Sequence, residues 1–220
     1  IAGKGLVRAY ANGKKPDTRR NLMSKKQPMI LGIGGTLRSG SSSERALNIA
    51  LTAAEKAGAT VRSFTGAKLD LPHYDASNKA GIEAAAELLE LYRQCDGVII
   101  SSPGYHGSTS GMIKNALDYI EELRSDERVY LEDRPVGCIV CAYGWQATGT
   151  TLTALRSIVH ALRGWPTPLG VTINSAQTSF SDDGGCSDSR VADQLHALAG
   201  QVLGFASQGV AEPHSTAKST

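Results

Sequence analysis

Short apolar runs alternate with longer amphipathic stretches along most of this sequence, and this alternation constrains the fold more than any other feature. The apolar runs cover residues 29–33, 60–64, 97–100, 136–142 and 169–173. Apolar residues at helical spacing follow over 43–56, 82–94, 110–123, 149–162 and 191–206. A strand followed by a helix, about five times over, predicts an α/β fold: a doubly wound five-stranded parallel sheet with helices on both faces.

Positive charge is concentrated at the amino-terminal end. Residues 1–28 hold eight Lys and Arg and one acidic residue, whereas residues 29–220 hold 15 basic and 20 acidic residues. We therefore predict a basic flexible tail over 1–28, one domain over 29–207 and a flexible C-terminal tail over 208–220. The acidic body argues against a nucleic-acid-binding protein. No run approaches the ~20 apolar residues of a membrane-spanning helix, so no membrane contact is predicted.

Four cysteines among 220 residues are too few for a disulfide scaffold. Cys138 and Cys141 form a C-x-x-C within an apolar run, and residues three apart on a strand point to opposite faces. We interpret both as buried structural thiols, and Cys186 as an exposed free thiol. Free thiols predict a reducing, cytoplasmic location.

The first apolar run leads into a segment rich in glycine and hydroxyl groups, Gly34-Gly-Thr-Leu-Arg-Ser-Gly-Ser-Ser-Ser-Glu44. Its backbone amides, its hydroxyl groups, Arg38 and the start of the next helix predict a phosphate site. The hydroxyl groups belong to Thr36, Ser39, Ser41, Ser42 and Ser43. A Walker A motif is absent, and Leu37 replaces the third glycine of a dinucleotide fingerprint. A serine-rich turn with a helix N-cap is the structural alternative.

Two further glycine-bearing segments follow the third and fourth apolar runs, at ends of strands where open α/β sheets bind ligands. Tyr105 and His106 in one, and Tyr143 and Trp145 in the other, suit stacking against a planar ring. The alternatives are core packing for Tyr143 and Trp145, and a structural hydrogen bond for His106. No metal is predicted, because no second histidine or carboxylate lies near His106 at metal-ligand spacing.

Two motifs connect these segments to a known family. Residues 35–43 have the form G-[ST]-x-R-x-x-S-x-[NS], and residues 102–118 have the form [TS]-P-x-Y-x-x-[ST]-x-x-G-x-[LI]-K-N-x-[LI]-D. Over about residues 29–205, the chain resembles the NADPH-dependent FMN reductase family, which has a flavodoxin-like fold. It departs from many members of that family at Ser43, Gly104, His106 and Trp145, which stand in place of Asn, Glu, Asn and Gly.

The resemblance implies a set of FMN-binding residues. The phosphate would be held by Thr36, Arg38, Ser41 and Ser43. The isoalloxazine and ribityl chain would be lined by Pro103, Gly104, Tyr105 and His106, and the ring bordered by Tyr143, Gly144 and Trp145. No residue is implied as catalytic, since hydride would pass directly from NADPH or NADH to N5 of FMN.

The resemblance also implies partners. Reduced flavin, or its electrons, would pass to a small acceptor or to a partner monooxygenase. A homodimer or homotetramer is implied, and the apolar helix over 110–123 is the expected interface. Candidate cations for the 2′-phosphate of NADPH are Arg124, Arg128 and Arg134.

Three other functions remain open at this point. An FMN-containing quinone, azo or chromate reductase would keep its flavin bound while it reduced a small acceptor. A flavodoxin-like electron carrier would be a binding module, but such carriers are usually strongly acidic, unlike this mildly acidic body. A nucleotide hydrolase is disfavoured by the missing P-loop lysine and the missing metal carboxylates.

Overall fold

A parallel sheet forms the centre of the computed structural model, which describes residues 27–209. Its main strands are β1 (Met29–Gly34), β2 (Thr60–Thr65), β3 (Gly97–Tyr105), β5 (Pro135–Ala142) and β7 (Val171–Asn174), with the two-residue strands β4 (Ser108–Thr109) and β6 (Trp165–Pro166). The order is β2-β1-β3-β5, and β6 and β7 then pair with successive stretches of β5. Only β4 runs antiparallel, against the end of β3. The predicted five parallel positions are therefore confirmed, in the flavodoxin-like order.

Helices cover both faces of this sheet. They are α1 (Ser42–Lys56), α2 (Lys79–Ala84), α3 (Ala86–Gln94), α4 (Gly111–Asp118), α5 (Trp145–Ala161) and α6 (Ser189–Gly209), with 3-10 turns at Gly66–Leu69 and Tyr119–Leu123. Apolar residues of α1 and α6 pack on one face, and those of α3, α4 and α5 pack on the other. The sheet is thus buried on both sides, which is why its strands are continuous apolar runs rather than alternating ones.

Successive strand residues enter opposite cores, as the period of two requires. In β1, Ile30 packs with α1 and α6, whereas Leu31 packs with the helices of the other face. In β5, Cys138 and Cys141 divide in the same way. Both are buried free thiols, and burial raises the pKa of each to about 12. Their interpretation as structural residues is confirmed.

The structure changes several predicted boundaries. The helix predicted over 82–94 is two helices, because the backbone at Ala85 (φ −90°, ψ 4°) leaves helical geometry. The helix predicted from residue 149 already begins at Trp145, so this residue lies in the first turn of α5. Most of the predicted tails, 1–28 and 208–220, lies outside the described residues.

Candidate functional site

The first loop connects the end of β1 to the start of α1. Ser41 is the N-cap of α1, and its Oγ accepts a hydrogen bond from the amide of Glu44 at 3.3 Å. The N-cap that was considered as a structural alternative is therefore present. A capped helix start still leaves amides free: those of Ser42 and Ser43 donate to no acceptor among residues 27–209. Such amides, together with the helix dipole, favour an anion.

In this loop the side chains of Thr36, Ser41 and Ser43 form hydrogen bonds within the loop, whereas that of Arg38 bonds to no described residue. The Oγ1 of Thr36 accepts from the amide of Arg38 and donates to its carbonyl, both at 3.1 Å. The hydroxyl groups of Ser41 and Ser43 are buried and lie 3.3 Å apart. The exposed guanidinium of Arg38 has no hydrogen-bond or salt-bridge partner within the described part of the chain. Arg38 is thus the cation of this loop that remains available to a ligand.

The second loop is a tight β-hairpin at the carboxyl end of β3. Gly104 pairs with Thr109, and Tyr105 with Ser108, which leaves His106 and Gly107 as the turn. Both turn residues have positive φ, 51° and 87°, as a type I′ turn requires. The hairpin presents Tyr105, 54% exposed, and His106 to solvent. The ring of His106 makes no hydrogen bond to any described residue, so a structural hydrogen bond does not explain it.

Gly104 brings the second and third loops into contact. A Cβ atom at this position would lie 2.8 Å from Oγ1 of Thr151 and 3.1 Å from Cβ of Ala142. Thr151, on α5, also donates to the carbonyl of Ser108 at 3.3 Å. A larger residue at 104 would therefore displace α5, which explains why glycine suits this chain where many members of the FMN reductase family have glutamate.

The third loop exposes the aromatic residues that follow β5. Tyr143 is 85% exposed and Trp145 is 55% exposed, so core packing is the wrong explanation for both. Gly144 between them is the N-cap of α5. Leu37 of the first loop is also 55% exposed, although the sequence interpretation assigned it no ligand contact. An apolar residue within a polar turn was the signal that would have found it.

Strand register places the three loops side by side. Gly34 of β1 is paired with Ser101 of β3, and Pro103 of β3 with Cys141 of β5. The hydroxyl of Ser101 also donates to the carbonyl of Ser43 at 2.8 Å, which joins β3 to the first loop. All the residues predicted to bind cofactor therefore belong to one edge of the sheet, at the ends of adjacent strands.

Asn115, inside the second motif, has a role that sequence interpretation missed. Its Oδ1 accepts from the amide of Tyr74 at 2.8 Å, and its Nδ2 donates to the carbonyl of Pro72 at 2.9 Å. It thereby fixes the loop after β2 against α4, beside a cleft of about 370 Å³ lined by Leu69–His73, Gly111 and Met112. Burial and a hydrogen bond to Glu122 raise the pKa of Tyr74 to about 12, so its phenol stays protonated.

The arginines considered for the 2′-phosphate of NADPH are not at this edge, and that prediction is wrong for two of them. Arg134 is 1% exposed and donates to the carbonyls of Cys95 and Tyr130 at 3.0 and 2.8 Å. Arg128 also donates to Cys95, at 3.4 Å. These groups lie beside the starts of β3 and β5, at the opposite edge of the sheet. Arg124 is exposed but paired with Glu121.

The helix expected to form a subunit interface buries its apolar residues within the monomer. Ile113, Leu117 and Ile120 are fully or almost fully buried against the sheet. The apolar pattern over 110–123 therefore reports packing on the chain's own core, and that reason for choosing it as an interface is wrong.

Residues 27–209 contain neither a membrane-spanning helix nor a cluster of metal-binding side chains. No described helix is both long and apolar enough to cross a membrane. No group of three or more His, Cys, Asp or Glu side chains in this range is arranged to hold a metal ion.

Comparison with known proteins decides the family. The model of a family described as NADPH-dependent FMN reductase matches residues 28–178, a range that contains all three loops and every strand of the sheet. The chain belongs to the NADPH-dependent FMN reductase family. The resemblance carried by the two motifs is therefore confirmed.

Curated relatives of this FMN reductase family member are named FMN-dependent NADPH-azoreductase. The protein from Staphylococcus haemolyticus (strain JCSC1435) is 36% identical over 95 residues, 43% of this chain and 47% of the relative. The protein from Staphylococcus aureus (strain USA300) is 31% identical over 121 residues, 54% of this chain and 61% of the relative. The chain thus spans about half to three fifths of the length of these relatives.

Solved structures support the flavodoxin-like fold. FerB, described as a flavoenzyme NAD(P)H:(acceptor) oxidoreductase from Paracoccus denitrificans, superposes with a TM-score of 0.68 at 20% identity, over 83% of this chain and 98% of FerB. A flavodoxin, WrbA-like protein from Agrobacterium tumefaciens gives 0.55 at 15% identity, over 83% of this chain and 98% of that one. At such identities the likeness concerns the fold alone.

Proposed function

We propose that this protein is an NAD(P)H-dependent FMN reductase that passes reduced flavin, or its electrons, to an acceptor. One observation carries the proposal: in a member of this family, a loop with an exposed arginine at a helix start and two loops with exposed aromatic residues meet at one edge of the sheet. Exposed aromatic side chains that no core requires are what a planar, partly apolar ligand would cover.

The hydrogen-bond donors and exposed side chains of the three loops suit the chemical groups of FMN. Thr36, Ser41 and Ser43 shape a loop whose helix-start amides are free, and Arg38 supplies an unpaired cation, which together suit a phosphate dianion. Pro103, Gly104, Tyr105 and His106 would line the ring and ribityl chain from the hairpin, while Tyr143, Gly144 and Trp145 would border the ring. This division of roles remains our proposal.

Bound FMN supplies the redox chemistry, accepting hydride from NADPH or NADH and yielding electrons to an acceptor. The chain's own residues would bind FMN, orient it and shield it from water. Strand pairing with Ser108 fixes Tyr105 next to the two-residue turn of the hairpin, and α5 contacts that hairpin through Thr151. We assign no general acid or base, because direct hydride transfer moves no proton at the protein.

The first experiment locates the flavin by fluorescence. The chain has two tryptophans: Trp145 at the proposed site and Trp165 at the opposite edge of the sheet. In a Trp165→Phe variant, added FMN should quench most of the remaining emission; in the matched Trp145→Phe variant it should quench little. Equal quenching in both variants would place the flavin elsewhere.

The second experiment tests turnover. Purified protein with FMN should show a flavin absorbance band that bleaches when NADPH or NADH is added anaerobically. A protein that binds FMN but does not oxidise either nicotinamide would instead be an electron carrier, and the proposal of an enzyme would be wrong.

An azoreductase or quinone reductase that retains its FMN is the second candidate, favoured by the names of the curated relatives. Steady-state kinetics separate the two. Saturable dependence on free FMN, with release of reduced flavin, supports the FMN reductase; tight FMN and fast turnover of an azo dye or quinone support the second candidate.

Further proposals concern the surroundings of the enzyme. We propose a homodimer or homotetramer in solution, which light scattering would measure, and a monooxygenase as a recipient of reduced flavin. A reducing, cytoplasmic location is supported by four cysteines that are all free thiols in the structure. The tails over 1–28 and 208–220 are proposed to lie outside the catalytic domain, 29–207.

A further inference from the structure

Both polar backbone groups of Gly40 are held by side chains of α1. The amide of Gly40 donates to Oε2 of Glu44 at 2.8 Å, and its carbonyl accepts from Nε of Arg45 at 2.7 Å. Gly40 has φ +70°, and a Cβ here would lie 2.9 Å from Nη2 of Arg45. Glycine is thus needed both for the backbone conformation and for the space that the guanidinium occupies.

Arg45 ties this position to a distant segment. Its Nη1 donates to the carbonyl of Phe180 at 3.5 Å, and its Nη2 pairs with the carboxylate of Asp182. Phe180 and Cys186 form an isolated antiparallel bridge, which closes a turn in the connection from β7 to α6. The side chain of Arg45 is 23% exposed, so its bonds to the carbonyls of Gly40 and Phe180 are partly buried, whereas Asp182 is 97% exposed and its pair with Arg45 is open to water.

Polar bonds, rather than core packing, support the loop on this side. A cavity of about 630 Å³ lies behind Ser39 and Gly40, lined by Glu44, Arg45 and the Asp182–Gly184 turn. Ile49 and Ala53 line the cavity further along α1, whereas the three atoms nearest to a Cβ built at Gly40 all belong to the side chain of Arg45. The conformation of Gly40 therefore depends on Glu44 and Arg45 more than on van der Waals contact.

The geometry of the peptide bond connects the hydrogen bond between Arg45 and Gly40 to the proposed site. The carbonyl of Gly40 and the amide of Ser41 belong to one planar trans peptide, so the two groups point in opposite directions. Because Arg45 draws the carbonyl toward itself and the cavity, the Ser41 amide points away from both. Ser41 is the N-cap that opens α1, next to the free amides of Ser42 and Ser43.

We propose that Arg45 is a positioning residue for phosphate recognition. It fixes the Gly40–Ser41 peptide so that the Ser41 amide binds the FMN phosphate together with the amides of Ser42 and Ser43. The 180–186 turn in turn holds the far end of the Arg45 side chain. This inference rests on the proposed function, since it concerns how the same loop binds FMN. Arg38 and Arg45 have different roles, because Arg38 has no partner among residues 27–209 whereas Arg45 donates to three protein acceptors.

The test compares two flavins that differ only by the phosphate. Arg45→Met should weaken FMN binding about tenfold, the effect of losing one charge-assisted hydrogen bond, here that from the Ser41 amide to the phosphate. The affinity for riboflavin, which has no phosphate, should stay within about twofold. Arg45→Lys, which retains one donor for Gly40, should fall between wild type and Arg45→Met. Asp182→Asn should have little effect, because the Asp182 side chain is 97% exposed.

Arg190→Met is the matched control, since Arg190 pairs with Asp188 at 3.2 Å on an exposed surface and does not contact the loop. It should leave the affinity of both flavins unchanged. If Arg45→Met weakens FMN and riboflavin equally, or weakens neither while folding normally, the inference is overturned.

Hydrogen exchange of the flavin-free protein separates this inference from the proposed function. The amide of Gly40, which donates to Glu44, should exchange about tenfold faster in Arg45→Met than in wild type, because the opening of this loop would cost less free energy. Unchanged exchange overturns the positioning role. If exchange accelerates but wild-type protein binds FMN no better than riboflavin, the positioning role stands and the proposed phosphate site fails.

Discussion

Replacing Arg134 with methionine should lower the free energy of unfolding by about 2–4 kcal/mol and leave the KM for NADPH unchanged. Arg134 is 1% exposed, and its guanidinium donates to the carbonyls of Cys95, Tyr130 and Arg93 at 3.0, 2.8 and 3.4 Å. Two of these carbonyls lie at the end of α3, where the helix dipole favours a cation. Burial lowers the pKa of Arg134, and these acceptors keep the charge tolerable.

The magnitude follows from what methionine leaves behind. The carbonyl of Cys95 keeps Arg128 as a donor at 3.4 Å, so the main losses fall on the carbonyls of Tyr130 and Arg93. A buried acceptor left without a partner costs about 1–3 kcal/mol, and the 3.4 Å bond belongs at the lower end of that range. Methionine restores some apolar contact, which keeps the total near 2–4 kcal/mol rather than higher.

Urea unfolding followed by far-UV circular dichroism measures this free energy, and steady-state kinetics with NADPH and NADH measure recognition. Arg124→Met is the matched control: Arg124 is exposed and pairs with Glu121 at 3.6 Å, so its loss should cost under about 0.5 kcal/mol. A stable Arg134→Met protein with a raised KM for NADPH, but not for NADH, would refute the structural role and restore the phosphate role that the sequence suggested.

Three further predictions concern the site and the core. Ser41→Ala should cost about 1 kcal/mol of stability through loss of the N-cap, measured by thermal unfolding, and should weaken FMN more than riboflavin; an unchanged preference for FMN would contradict the second part. Gly104→Val should destabilise the protein by about 1–3 kcal/mol, because its Cβ would lie 2.8 Å from Oγ1 of Thr151; a Thr151→Ala second change should recover part of this loss in the same assay. Cys138 and Cys141 have a pKa near 12 in the folded state against 9.0 for an ordinary thiol. Their contribution to stability is therefore complete below pH 9 and decreases as the pH rises toward 12, where the unfolded chain has released protons that the folded one retains. Urea unfolding at pH 8 and pH 10.5 should show this decline, and a variant with alanine at both positions should show less of it.

Much of the fold follows from local pattern. The five main strands begin within two residues of their predicted starts, because a strand buried on both faces is a short apolar run bounded by polar and glycine-rich segments. The strands β4 and β6 were not predicted, and β3 continues five residues beyond its apolar run. The break at Ala85 was not predicted, since the apolar spacing continues through it. The pairing of β6 and β7 with one strand also depends on tertiary contacts that no local pattern specifies.

Within the site, residue chemistry was easier to predict than residue environment. A loop of glycine, hydroxyl groups and arginine before a helix predicts an anion site from composition alone. Whether Tyr143 and Trp145 are core or surface residues depends on where α5 lies, and their exposure of 85% and 55% decided it. Asn115 belongs to the second motif, but the motif does not predict that Asn115 holds the loop after β2.

Local sequence pattern is enough to predict the layered α/β architecture and the segments that carry the candidate chemistry, because periodicity and turn residues act over a few positions. Which charges are available depends on tertiary contacts. Within the described part of the chain Arg38 has no partner, Arg45 is bonded to Gly40 and the 180–186 turn, and Arg134 is buried at the far edge of the sheet. The physical reason is that a guanidinium acts according to the acceptors around it, and here those acceptors come from parts of the chain up to 137 positions away.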